Sequence, residues 1–564
     1  LLSRRQRQMC IRDRYTTMKK FLLLVCSMFF IYAYGENGEG HIPLPSPQQL
    51  RWQQYEQIMF LCMDPCTWQG REYDNHSYPI SQINPKKLNT DQWCEVAKSW
   101  GAKLILFVAK HTGGFCWWQT NTTDYSIKNI PWQEGKGDVL KELSNSCKKY
   151  GLDLGVYVYS GDSQWGAGIG SGGKTSDPSK QEAYNKIYRQ QMTEVLTNYG
   201  PVREVWFDGG CIISVDDILE KYASDAVIFG GKNATICWVG NEDGIAPSSN
   251  WYVKDGKYLP AECDVPLLNN GGHKWFWAPD TDSLICSVDQ LMDIYYKSVG
   301  RGSVLLLNAS PDTTGLIPDS HVKRYAEFGR EIHRRFSNPV ATLSGTGREH
   351  VISFPKSTLV NHCIIQELLE KGQRITSYIV EGYTPEGKWE LLYHGTSVGH
   401  KKIAYWDDIE LLKIRLRVLS SLSVPMIDKF SVYHVDGMPL SMNKKNKKEF
   451  SLFSFDDSTL ETGEWKELVF DLTPYVNEIG YYNISFKTLN SDSVKEGIEF
   501  KDWKLEMYGR NFPDGIIEGG TDNLIRICRS QQTLDEFPTK LRVKVRRFSD
   551  KIIGNIVLER MLND

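Results

Sequence analysis

The sequence lacks four things that would each have pointed to a different kind of protein. It has no net field: 66 basic against 69 acidic residues leave a formal charge of -3 over 564 positions, which favours neither nucleic acid nor an anionic membrane as partner. It has no CxxC pair among its 13 cysteines, and so odd and scattered a set excludes a zinc ribbon or a dense disulfide scaffold. Cys62, Cys116, Cys237 and Cys363 lie in apolar runs and are expected to be buried thiols. It has no phosphate-binding glycine turn, because the glycine-rich stretch 166–173 follows no strand-to-helix junction; that stretch is expected to be a loop beside a site. Finally, no apolar run reaches the ~20 residues of a membrane span. Nothing in the chain calls for a metal or a cofactor, and nothing in it sets the oligomeric state.

The first segment is a processing signal. Met18-Lys19-Lys20 precede an apolar run from Phe21 to Tyr32, and Ala33 and Gly35 supply small residues at peptidase spacing, so 18–35 is expected to be a signal peptide and the protein to be exported, periplasmic or secreted. Val25 is bulkier than the residue that normally precedes a lipidated cysteine, which disfavours a lipoprotein anchored at Cys26. Residues 1–17 carry five arginines and no initiating Met. They are taken as an extension upstream of the natural start; as a basic arm for nucleic acid they would have to survive export.

Between about 43 and 338, short apolar runs at 58–62, 104–109, 154–159, 205–207, 226–229 and 304–307 are separated by helical stretches. Buried runs alternating with helices indicate parallel strands covered on both sides, and repetition over nearly 300 residues favours a (β/α)8 barrel. Asp138–Tyr150 places Val139, Leu140, Leu143 and Cys147 on one helical face with Gly151 as its stop. After 339 the pattern changes to period-2 runs at 351–354, 375–382, 389–393 and 412–418, which predicts a β-sandwich over 339–436. A second β-rich region is expected over 437–564, with lysine-rich 444–448 as the linker.

The run Glu204-Val205-Trp206-Phe207-Asp208-Gly209-Gly210 ends a strand on one carboxylate and two glycines. Asp208 is offered either as a catalytic acid at a barrel's C-terminal face or as the Asp of an ordinary strand-ending turn. Three further segments would open on the same face. His111, with Gly113-Gly114 and Trp117-Trp118, can bond a sugar hydroxyl while rings pack its CH face. Trp238 to Gly244 places Glu242 in a turn. Pro260 to Asp264 offers Glu262 and Asp264, followed by Trp275-Phe276-Trp277. Strand-end acids beside tryptophans suit glycoside hydrolysis, which needs a nucleophile or base and a proton donor.

Together, Lys110–Trp118, Thr122–Ser126, Pro131–Asp138, Glu204–Gly209, Trp238–Gly244, Leu307–Asp312 and Gly315–Pro318 resemble the α-L-fucosidases of glycoside hydrolase family 29, with the plant-type α-1,3/1,4 branch the nearest. The resemblance runs in order over most of 43–440. It implies a retaining exo-enzyme acting on fucosylated oligosaccharides or glycoprotein glycans, with Asp208 forming a covalent fucosyl-enzyme and Glu242 as acid/base. Glu262 is the alternative for the second role, because that position varies within the family. The two carboxyls would stand about 5–5.5 Å apart. His111, Trp118, Tyr157 and Trp206 are the implied fucose contacts, and the sandwich resembles galactose-binding-like domains. The chain departs from the pattern at Cys62-Met63-Asp64, where many members have His, and at His111-Thr112-Gly113-Gly114, where His-His-Asp-Gly is common. Two other readings stand beside this one: a related retaining glycosidase of fucose-like sugars, and an inactive barrel that binds carbohydrate.

Overall fold

A computed structural model of the chain describes residues 42–437 and, beyond them, most of the strands between 448 and 561. The expected signal peptide, the upstream extension and nearly all of the lysine-rich linker lie outside the described residues. Among the described residues no helix is long and apolar enough to cross a membrane.

Eight parallel strands form the first unit: β1 (Gln57–Leu61), β2 (Leu104–Lys110), β3 (Asp153–Val158), β4 (Val202–Trp206), β5 (Val227–Phe229), β6 (Cys237–Trp238), β7 (Ala261–Val265) and β8 (Val304–Ala309). They run in the order β5-β4-β3-β2-β1-β8-β7-β6, and the parallel bridge Phe229–Ile236 nearly closes the ring between β5 and β6. The expected barrel is therefore present. Its irregular side was not expected: no helix joins β5 to β6, and a two-stranded ribbon (Val253–Lys254, Lys257–Tyr258) stands between β6 and β7.

Strand residues alternate between two layers. Ile58, Phe60, Leu104, Leu106, Val108, Tyr157, Trp206, Phe229, Val304 and Leu306 form one cluster inside the ring, while their neighbours in sequence join the outer core under the helices. The helices follow from their ends. Asp138 caps α3 (Val139–Tyr150) by accepting the Lys141 N–H at 2.9 Å, and Gly151 ends it at φ 68°. The long helix α4 (Gln181–Asn198) buries Tyr184, Tyr188, Gln191, Met192 and Val195 on one stripe and delivers the chain to β4; α1 is Pro47–Tyr55 and α2 is Thr90–Ser99.

After α7 (Asp319–Phe336; α5 is Asp216–Tyr222 and α6 is Val288–Lys297), six antiparallel strands form one sheet: β9 (Ala341–Thr346), β10 (Glu349–Glu367), β11 (Ile375–Tyr383), β12 (Trp389–Gly395), β13 (Lys402–Ser421) and β14 (Met426–Tyr433), in the order β9-β14-β10-β13-β11-β12. Register shifts in the β10–β13 pairing, between Ser353 and Thr358 and between Val360 and His362, bend both long strands. Residues from both halves of those strands then share one core, including Ile352, Val360, Ile365, Leu411 and Leu416. The sheet docks on the barrel where Tyr296 bonds His362 at 2.8 Å and Phe336 packs on Tyr433. The C-terminal strands make two four-stranded antiparallel sheets whose facing residues, among them Leu468, Phe470, Ile484, Val543 and Leu558, form a core of their own. All ten cysteines described are free.

Candidate active site

The C-terminal ends of the barrel strands open on a cavity of about 210 Å3. Cys62 follows β1, His111 follows β2, Tyr157 belongs to β3, Trp206 ends β4 with Asp208 two residues on, and Asp264 belongs to β7; Glu242 arrives on the loop after β6. All of them line the cavity, together with Phe60, Glu72, Tyr73, His273, Trp275 and Phe276.

Asp208 is offered upward because Gly209 and Gly210 turn the chain at φ 63° and 81°. Gly209 lies against Gly170, so the glycine-rich loop does flank the site. Tyr157 donates its hydroxyl to Asp208 Oδ2 at 2.9 Å. Burial lifts the Asp208 carboxyl above the ordinary carboxylate range; the Tyr157 bond draws it back, the Glu242 charge adds to the rise, and the Gly209 N–H opposes it. Tyr157 is itself stacked on Trp206 at 5.4 Å and 22°, which fixes where its hydroxyl points.

Glu242 is held differently. His273 Nε2 lies 2.8 Å from Glu242 Oε2, and the Trp275 indole donates to the same oxygen at 3.3 Å. The bond to His273 pulls Glu242 below the usual carboxylate range against a smaller opposing effect of burial, and the same bond raises His273. Asp208 and Glu242 therefore share a cavity with unequal environments that shift them in opposite directions, Asp208 up and Glu242 down. His111, pushed down to about 4 by burial, is a neutral ring; it stacks on Tyr73 at 5.9 Å and meets Phe276 at a tilt, 4.9 Å away.

Two of the expected contacts lie elsewhere. Trp118 is fully buried and donates its indole N–H to Glu194 of α4 at 3.0 Å, so it ties the loop after β2 to a helix and does not line the cavity. Glu262 is also fully buried. It accepts the Trp206 indole at 2.7 Å and touches Glu204, which accepts the Trp52 indole at 3.1 Å. Burial and the neighbouring charge push Glu262 well up, and burial lifts Glu204 to about 7, so the pair shares a proton beneath the floor of the cavity. A leaving group cannot reach Glu262 there.

The departures have local causes. A Cβ on Gly113 would stand 2.2 Å from Asp74 Oδ2, so a side chain there has no room beside Asp74, which accepts the Tyr125 hydroxyl at 2.7 Å. Thr112 points to its neighbour His111 at 3.5 Å and does not line the cavity, whereas Cys62 does. Glu72, Tyr73 and His273 were not anticipated. Glu72 accepts the Trp275 backbone N–H at 2.9 Å, but in sequence it sits in a turn far from any strand end. His273 gave a weak signal only, by preceding the aromatic run 275–277. Among the described residues, Asp64, Cys66 and His111 have donor atoms within 4.8 Å of one another.

A family model described as alpha-L-fucosidase matches residues 50–334, which holds every cavity residue named above. The chain belongs to the α-L-fucosidases, glycoside hydrolase family 29. It is a glycoside hydrolase. The chain is 32% identical over 459 residues to alpha-L-fucosidase 1 of Arabidopsis thaliana, covering 70% of this chain and 88% of that one. It is 34% identical to a solved, proposed alpha-L-fucosidase of Bacteroides thetaiotaomicron VPI-5482, with a TM-score of 0.67, covering 70% of this fucosidase and all of that chain. A solved family 29 member from a rumen bacterium, 24% identical with a TM-score of 0.65, covers 93% of this chain and 96% of its own, and shows that the fold extends through the C-terminal strands.

Proposed function

We propose that this fucosidase is an exported, retaining exo-α-L-fucosidase that removes terminal α-1,3- or α-1,4-linked fucose from glycans. The observation that carries the reading is the one cavity shared by Asp208 and Glu242, each held by its own partners. Asp208, oriented by Tyr157, attacks the anomeric carbon; Glu242 protonates the departing oxygen and then takes a proton from the water that releases fucose. The α-1,3/1,4 linkage rests on the resemblance of the sequence motifs to the plant-type branch. Export rests on the signal sequence at 18–35. The restricted volume and the aromatic walls of Phe60, Trp206 and Phe276 support recognition of a single terminal sugar.

The test is hydrolysis of an aryl α-L-fucoside by wild type and Asp208→Ala. The variant should fall to background, and azide should restore aryl release with fucosyl azide of inverted configuration as product. An Asp208→Ala enzyme that keeps its activity refutes the nucleophile. A panel of α-1,2, α-1,3, α-1,4 and α-1,6 fucosides reads the linkage.

A further inference from the structure

We propose that His273 is a positioning residue that holds the catalytic proton of Glu242, so that the acid of this enzyme is a Glu242–His273 pair. The inference rests on the assignment of Glu242 as acid/base. A lone Glu242 is poorly suited to that work. It is half-exposed, with 47% of its side chain open to solvent, and little there would keep a carboxyl protonated near neutral pH.

The bonding of His273 answers this. Its Nδ1 lies 3.3 Å from Asn269 Oδ1, which can only accept, so Nδ1 carries a hydrogen. The 2.8 Å contact between Nε2 and Glu242 Oε2 then needs a second proton, because a neutral Nδ1–H imidazole and a carboxylate would meet lone pair to lone pair. One proton therefore resides in the pair, on Nε2 or on Oε2. Trp275 stands edge-on to His273 at 5.6 Å and 84° and bonds the same Oε2.

The charges around the pair favour retaining that proton. Asp243 and Glu72 both raise His273; Lys274 is drawn to Glu72 at 3.8 Å; Asp208, Asp264 and Tyr73 feel the charge on Glu242. In the first step the C1–O bond breaks with its electron pair on oxygen, Asp208 closes a new bond to C1, and the pair's proton moves to the leaving oxygen. The pair is then one proton short, with Nε2 and Oε2 in repulsion. That repulsion makes it a better base for the water of the second step, which returns the proton and hands hydroxide to C1 as the Asp208 ester bond breaks.

The variants are His273→Ala and His273→Gln in the full enzyme, assayed on α-L-fucosyl fluoride, whose leaving group needs little protonation, and on a fucosylated trisaccharide. The pair predicts a loss of about 100-fold in kcat/KM for the trisaccharide, the low end for general acid catalysis, with the fluoride nearly unchanged. The alkaline limb of the trisaccharide profile should move to lower pH, because the last proton then belongs to Glu242 alone. Equal losses on both substrates, or an unmoved alkaline limb, overturn the proposal. Matching thermal unfolding of the variants and wild type checks folding. The nucleophile reading is tested separately, since Asp208→Ala must abolish kcat/KM on the fluoride, the parameter that His273→Ala leaves standing because it reports only the first step.

Discussion

Replacing Tyr157 with Phe isolates a single bond at the centre of the site. The ring stays, so the stack on Trp206 and the tilted contact with Phe60 are kept, and only the 2.9 Å hydroxyl bond to Asp208 is lost. Hydrogen bonds to charged groups are worth about 1.5–3 kcal/mol, and here the bond stabilises the carboxylate against burial. Its loss makes Asp208 harder to ionise by that amount, about a 10- to 100-fold change in the ionisation equilibrium. The sign is fixed: the acid limb of the kcat/KM profile moves to higher pH. On the acid side of both limbs the variant should be about 10- to 100-fold slower, and on the plateau it should approach wild type. The assay is a pH profile on an aryl α-L-fucoside with a good leaving group. A uniform loss at every pH would show that Tyr157 acts on the transition state or on binding, and an unmoved acid limb would refute the hydrogen bond as the source of Asp208's tuning.

Two further outcomes follow from residues that the fold removes from the cavity. Trp118→Phe should leave KM and kcat unchanged while lowering stability by about 2 kcal/mol, through the lost bond to Glu194 and the space left behind; a raised KM in thermally intact protein would return Trp118 to the sugar site. Glu204 sits at about 7, raised by burial from an ordinary 4.5, so the stability conferred by its protonated form is complete below about 4.5 and is lost as pH rises through about 7. Glu204→Gln should therefore flatten the fall in melting temperature between about pH 4.5 and 7; an unaltered fall would place the titrating group elsewhere.

The pairing of acids shows where sequence reading stops. Glu204, Trp206, Glu262 and Asp264 all belong to strands buried on both faces, and such strands carry no polar alternation that tells the ring interior from the helix side. Asp264 reaches the cavity and Glu262, two residues earlier on the same face, lies one layer lower with Glu204. Both acids look alike in sequence, and their spacing is what period-2 geometry would give for either assignment. Trp118 misled for a related reason: a tryptophan next to a strand-end histidine suits a sugar platform, yet its indole found a partner on α4, 76 residues away. Glu72 is invisible locally and His273 nearly so, because each becomes functional only through a residue brought from another loop.

What the chain determined by itself is the barrel and the position of Asp208. Buried apolar runs of strand length alternating with capped helices leave few other ways to cover both faces of a parallel sheet, and two glycines after an acid make the turn that presents it. What only tertiary structure decided is the company Asp208 keeps. The partner acid, its histidine and the neutral His111 come from three different loops, and hydrogen-bond chemistry acts over about 3 Å, a distance that closure of the ring sets and that spacing along the chain does not record.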